Sequence, residues 1–226
     1  MGDIKFKNNE QFGITMEYLL CEESLLDNNL ESRIYEGDLD IFKNIIKNIN
    51  HRLNEIGIPL TQFNGYRNNN VDFYSNKTSI SVKTNYKKSG KVCPQKIGQA
   101  TKNKYKEIMK EKFNVVLDTN YDIKKFIMEN TLELLEQYFL YTFCCDYTIW
   151  IYGDKNIFDF KIIDKKETAF PLSKEGKITF SNTLEKWNEG ITVKYNGKSI
   201  GEFQIHNNRN CIKFRFYMNN LLNMIN

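Results

Sequence analysis

Val71-Asp72-Phe73-Tyr74-Ser75-Asn76-Lys77-Thr78-Ser79-Ile80-Ser81-Val82-Lys83-Thr84-Asn85 is the stretch on which the reading of this chain turns. Alternation on either side of Asn76-Lys77 predicts a β-hairpin with those two residues as its loop. Ser75 then faces Thr78, Tyr74 faces Ser79, Phe73 faces Ile80 and Asp72 faces Ser81. Lys83 lies one diagonal step further on the Asp72 face, within reach of a long side chain. Ser79, Ser81, Lys83 and Asn85 share one face, while Ile80 and Val82 point into a core. A carboxylate beside an ammonium and a hydroxyl suits a divalent cation and an activated water, a set that can attack a phosphodiester. The same pattern also fits an ordinary ion pair on a half-buried hairpin, so the surroundings must decide.

Upstream, a helix is expected over 11–26, with Phe12, Met16, Leu19 and Leu20 on its apolar side. Glu17 is flanked at helical spacing by Gly13, Ile14, Leu20 and Cys21, so it borders that side and needs a partner. The partner is either a lysine or a metal ion. A second helix is expected over 38–56, stopped by Gly57. Downstream, Pro94 is expected to open a helix running to residue 112, and a long apolar helix to span 123–144. Strands then dominate: 147–152, 158–163, 177–180, 191–195, 198–205 and 211–216, with Asn196-Gly197 as a strong hairpin turn. The order predicts an α/β core over about 1–150 and a β-rich part over about 151–226, within a single domain.

The length of 226 residues, 41% hydrophobic and 14% aromatic content fit one globular domain with a substantial core. No apolar run reaches the roughly 18 residues of a membrane span, and residues 1–10 lack a signal-peptide apolar segment. Five cysteines form no C-x-x-C pair; Cys144-Cys145 read as buried thiols rather than zinc ligands, and a reducing cytoplasm is expected. The net charge of +4 is mild but uneven. Residues 83–112 carry Lys83, Lys87, Lys88, Lys91, Lys96, Lys102, Lys104, Lys106, Lys110 and Lys112 against Glu107 and Glu111. That block is either a solvated helix face or a phosphate-facing track.

The motif Asp72, eight residues, then Ser81-Val82-Lys83 resembles the PD-(D/E)xK nuclease motif, with Val71 in place of its proline and Ser81 in place of its second acid. Ser81-Val82-Lys83-Thr84-Asn85, followed by Gly90-Lys91-Val92-Cys93-Pro94-Gln95 and Ile97-Gly98-Gln99, resembles a group of type II restriction endonucleases. So do Phe12-Gly13-Ile14-Thr15-Met16-Glu17-Tyr18 and Phe203-Gln204-Ile205-His206-Asn207-Asn208-Arg209-Asn210. The core motif is short, but the ordered set of four spans most of the chain. The resemblance implies a mixed sheet flanked by helices and Mg²⁺-dependent cleavage of double-stranded DNA at a palindrome, without an organic cofactor. A palindrome in turn calls for a two-fold homodimer.

Asp72 is expected to hold the metal, with the Val82 carbonyl and Glu17 completing its shell, since Ser81 brings no carboxylate. Lys83 is expected to orient or deprotonate the attacking water and to stabilise developing charge. DNA contacts are expected from Asn85, Lys87, Lys88, Lys91, Gln95, Gln99, Lys102 and Asn103, and from the hairpin residues Gln204, His206, Asn207, Asn208, Arg209 and Asn210. Asn and Gln pair with adenine edges and Arg with guanine. His206 is a base reader or a structural residue. Few arginines and many asparagines favour an A/T-rich target, although an A/T-rich genome would enrich asparagine as well. Two rivals remain: a repair or junction-resolving nuclease on the same core, and a non-catalytic nucleic-acid-binding protein.

Overall fold

The computed structural model describes residues 6–65, 69–86, 90–94, 96–154 and 157–225. In chain order the elements are α1 (Asn9–Glu23), α2 (Lys43–Glu55), β1 (Gln62–Phe63), β2 (Phe73–Ser75), β3 (Thr78–Tyr86), β4 (Lys91–Val92), β5 (Gln99–Ala100), α3 (Lys102–Phe113), α4 (Asn120–Glu129), α5 (Thr131–Thr142), β6 (Tyr147–Asp154), β7 (Ile157–Asp164), β8 (Ile178–Phe180), β9 (Gly190–Tyr195), β10 (Lys198–Ile205), β11 (Ile212–Tyr217) and α6 (Met218–Ile225). No helix among the described residues is long and apolar enough to cross a membrane. The chain divides into two compact units, Met1–Gly90 with Phe143–Thr168, and Lys91–Thr142 with Ala169–Asn226.

The first unit is α/β. Its mixed five-stranded sheet has the order β1-β2-β3-β6-β7, with β3 and β6 parallel and the other pairs antiparallel. The predicted hairpin register holds over three pairs, Ser75 with Thr78, Tyr74 with Ser79 and Phe73 with Ile80; the expected fourth pair, Asp72 with Ser81, is not part of the ladder, and the Asp72 N–H bonds the Ile80 carbonyl instead. Asn76 takes the left-handed backbone that the tight turn needs, with φ 52°. Helices α1 and α2 cover the sheet, and their apolar sides form a core of Phe12, Met16, Leu20, Phe42, Ile45, Ile46, Ile49 and Leu53 with Phe73, Ile80, Val82, Ile149 and Ile151. Asn8 caps α1 by accepting from the Gln11 N–H at 2.9 Å.

The opposite face of β3 is not the open one that alternation suggests. Ser81, Asn85, Thr148 and Trp150 are all buried. A parallel strand with neighbours on both sides is sheathed above and below, and β3 gains that position through β6, far away in sequence.

The second unit carries a sheet of order β4-β11-β10-β9-β8, with β5 pairing a further stretch of β11. Asn196 (φ 48°) and Gly197 (φ 80°) make the expected turn between β9 and β10. Phe203, Phe214 and Phe216 form its apolar face with Tyr138, which stacks on Phe214 at 4.3 Å.

Two helix expectations are corrected. The helix expected from Pro94 begins instead at Lys102, capped by Thr101. Residues before it turn back, with Lys96 at φ 58° and the Gly98 N–H bonded to the Pro94 carbonyl, and then form β5. The helix expected over 123–144 is two helices broken at Asn130. There Asn130 Nδ2 and Thr131 Oγ1 bond the carbonyls of Phe126 and Ile127, so side chains compete for the helix ladder.

Candidate active site

Asp72 is fixed by its backbone before its side chain acts. Its N–H donates to the Ile80 carbonyl at 2.9 Å, and its own carbonyl accepts from the Asn64 N–H at 2.8 Å. The Val82 N–H then donates to Asp72 Oδ2 at 2.6 Å. A strand residue's N–H and C=O point to the same edge, so the Val82 carbonyl faces the Asp72 side. Ser79, at the hairpin end of β3, is clasped by Asp146: its N–H and hydroxyl donate to Asp146 Oδ2 at 2.8 and 2.7 Å, and the Asp146 N–H donates back to Ser79 Oγ at 3.0 Å.

Glu17 arrives from α1. The helix lies close to β3 at Gly13, where a Cβ would stand 3.1 Å from Thr84 Oγ1. Glu17 follows one turn later on the same side, and its Oε2 lies beside Gly65, 3.1 Å from where a Cβ would be. Its pKa is pushed up to about 8 by burial and by the charge of Asp72, against the opposing pull of Lys83 and Arg33. Burial also raises the pKa of Asp72, although Lys83, the Val82 N–H and the Ser81 hydroxyl favour its ionised form. Glu17 thus lies within electrostatic reach of both Asp72 and Lys83.

Ser81 is completely buried beside Asp72, yet its Oγ makes no hydrogen bond of ordinary geometry among the described residues. Thr148, its register partner on β6, is also buried, and its Oγ1 has no hydrogen-bond partner among the described residues. A buried hydroxyl beside Asp72 and two carboxylates that resist ionising together fit a hydrated divalent cation, whose charge would favour both ionised acids. Among the described residues no three His, Cys, Asp or Glu side chains converge; the oxygen donors are two carboxylates and the Val82 carbonyl. That set suits Mg²⁺, which keeps several waters.

Sequence reasoning missed Thr148. Polar Thr148 inside an apolar strand was the available signal. Cys144 and Cys145 lie with their Sγ atoms 3.9 Å apart, and Cys145 donates to the Asn70 carbonyl at 3.2 Å.

Asn85, expected at a DNA surface, is buried and accepts from Trp150 Nε1 at 2.8 Å. Lys87, Lys88 and Gln95 lie outside the described residues. In the second unit, β11 gathers segments that are distant in sequence. Lys213 pairs both Gln99 and Gln204, Arg215 pairs Glu202, and Tyr217 pairs Lys91. Lys213, Arg215 and Glu202 had drawn no functional reading. The Lys102 N–H donates to Asn210 Oδ1 at 3.2 Å, which joins the hairpin loop to the start of α3, where Asn103 follows. His206 Nδ1 lies 3.3 Å from Glu189 Oε2, and the Asn207 N–H donates to Glu189 Oε1 at 3.1 Å. These contacts anchor the loop and leave Asn208 and Arg209 exposed.

The chain is similar to the type II restriction enzyme CviAII of Paramecium bursaria Chlorella virus 1, with 42% identity over 155 residues, covering 65% of this chain and 41% of that enzyme. It therefore spans about two fifths of the length of the curated relative it matches. No protein-family model and no solved structure matches the chain.

Proposed function

We propose that this protein is a type II restriction endonuclease of the PD-(D/E)xK kind, hydrolysing double-stranded DNA with Mg²⁺ at a palindromic, A/T-rich site as a homodimer. The observation that carries this reading is the electrostatic proximity of Asp72 at the start of the β2–β3 hairpin, Lys83 on β3 and Glu17 on the covering helix α1, in a chain 42% identical over 155 residues to a restriction enzyme. Asp72, Glu17 and the Val82 carbonyl would hold Mg²⁺. When bound, that ion would supply Lewis acidity and a more acidic water. Lys83 orients the attacking water and offsets negative charge growing on the phosphate oxygens. Ser81 and Thr148 line the buried side of the site and offer hydroxyls to ordered water. Glu17 must shed its proton to serve as a ligand, so cation uptake is coupled to proton release up to about pH 8.

The direct test is to incubate the purified protein with a large sequenced DNA and Mg²⁺ and to map the ends. The reading requires discrete fragments whose ends share one palindrome. Cutting confined to branched DNA would instead identify a junction nuclease, and metal-independent binding without cutting would identify a non-catalytic binder.

Recognition and phosphate contact separate in a second measurement. Asn208 and Arg209 are exposed at a loop whose flanks are anchored. Truncating either is expected to cost about 1–3 kcal/mol on the cognate site and to relax preference at one base pair. Truncating Lys88, Lys91 or Lys102 is expected to weaken binding on all sequences and to lower the salt slope by about one per lost contact. Unchanged cognate-to-variant ratios for Asn208 and Arg209 would move recognition elsewhere.

A further inference from the structure

The polar face of the second sheet is organised around one carboxylate. Glu202 is only 9% exposed and receives four donors. Lys91 Nζ reaches Oε2 at 2.7 Å, and the Tyr217 hydroxyl reaches the same oxygen at 3.3 Å. Gln204 Nε2 reaches Oε1 at 3.1 Å, and the Arg215 guanidinium bonds it as well. The Lys91 ammonium also lies 4.9 Å from the centre of the Tyr217 ring. Two cations thus share one acid, which leaves the cluster net positive. Arg215 Nε is buried with no acceptor among the described residues.

A buried ion cluster of this kind contributes little net stability, because desolvation offsets the attraction. What it does supply is order. Arg and Lys side chains are long and mobile, and a shared carboxylate fixes where their remaining donors point. Register places the next row, Lys213 beside Gln204, one pleat repeat away on the same face. Lys91 and Arg215 keep about a quarter of their side chains open, 27% and 25%.

We propose that this sheet face is a duplex-DNA recognition surface on which Glu202 is a positioning residue, holding Arg215 to contact a base edge and Lys91 to contact a phosphate. The proposal rests on the nuclease reading above and names a specificity surface for it. Charge complementarity selects the occupant: a net-positive face bearing Gln204 and a fixed guanidinium matches the phosphates and acceptor-rich groove edges of a duplex.

The test uses the full chain without Mg²⁺ and measures binding to the cognate duplex, found by end mapping, and to its single-base variants at several salt concentrations. Arg215→Lys is expected to lose about 10- to 100-fold on the cognate site and to flatten preference at one base pair. Glu202→Gln is expected to flatten preference at the same base pair, because the guanidinium is no longer held. Merely structural damage would weaken binding on every duplex alike and leave the ratios intact. If Glu202→Gln does not fold, Arg215→Lys carries the test. Unchanged single-base ratios in the folded variants would overturn this proposal while leaving the nuclease reading in place. A wild-type chain that neither binds nor cuts duplex DNA would overturn both.

Discussion

Replacing Asp72 by Asn, or Lys83 by Ala, is expected to lower single-turnover cleavage about 1000-fold or more, on the order of 4 kcal/mol in the barrier. DNA binding should change little. In the proposed mechanism both side chains serve the reacting centre, and neither belongs to the second unit, which carries the proposed recognition groups. Asp72→Asn keeps the size of the side chain and its acceptor for the Val82 N–H, so the β2–β3 hairpin should survive. Cleavage and binding measured on the same preparation check this. A variant that binds normally and still cuts at near wild-type rate would remove its residue from the proposed chemistry.

The second large effect belongs to Glu17. Glu17→Gln should raise the Mg²⁺ concentration needed for half-maximal cleavage about tenfold or more, since one of the two proposed carboxylate ligands is lost. Ser81→Ala should do less, because a hydroxyl is a poor ligand for a hard cation. Glu17 also predicts a pH effect in the metal-free protein. Its folded pKa, about 8, lies above the ordinary 4.5. Its contribution to stability is therefore full below about 4.5 and is lost as pH rises through about 8. One proton gives a slope of at most about 1.4 kcal/mol per pH unit. Metal-free melting temperature should accordingly decline across that window, and Glu17→Gln, which cannot titrate, should flatten the decline. Identical Mg²⁺ titrations and identical pH–melting curves for variant and wild type would remove Glu17 from the site.

The hairpin was legible because its information is local. Alternation fixed which residues face which, and Asn76 could take the left-handed turn. Glu17 was legible as a problem, a carboxylate on the edge of an apolar helix side. Its nearness to Asp72 depends on how α1 docks at Gly13 and Thr84, and no local pattern encodes that. Burial of Ser81 and Asn85 was missed for the same reason, since β6 is supplied by residues beyond 146. The break at Asn130 was hidden because neither glycine nor proline marks it and the apolar spacing runs straight across. Pro94 misled in the opposite way: proline suits a first helical turn, but here it precedes a turn closed by Gly98, and Thr101 was the better signal. Arg215 and Lys213 read only as the polar side of an alternating strand, because their meaning lies in cross-strand partners, one of which, Gln99, sits more than a hundred residues before Lys213.

The placement of β3 between β2 and β6 has a consequence in time. Glu17, Asp72 and Lys83 are all synthesised within the first 83 residues, and β2 can pair with β3 at once. The strand that encloses β3 on its other side starts only at Tyr147, and the Asp146 clasp on Ser79 comes with it. Residues 91–142 of the intervening chain belong to the other unit. At ordinary synthesis rates of about 5–20 residues per second, a nascent chain spends several seconds bearing every proposed reactive group without the strand that seats them. For an enzyme proposed to cut DNA, this order delays competence until about two thirds of the chain has been made.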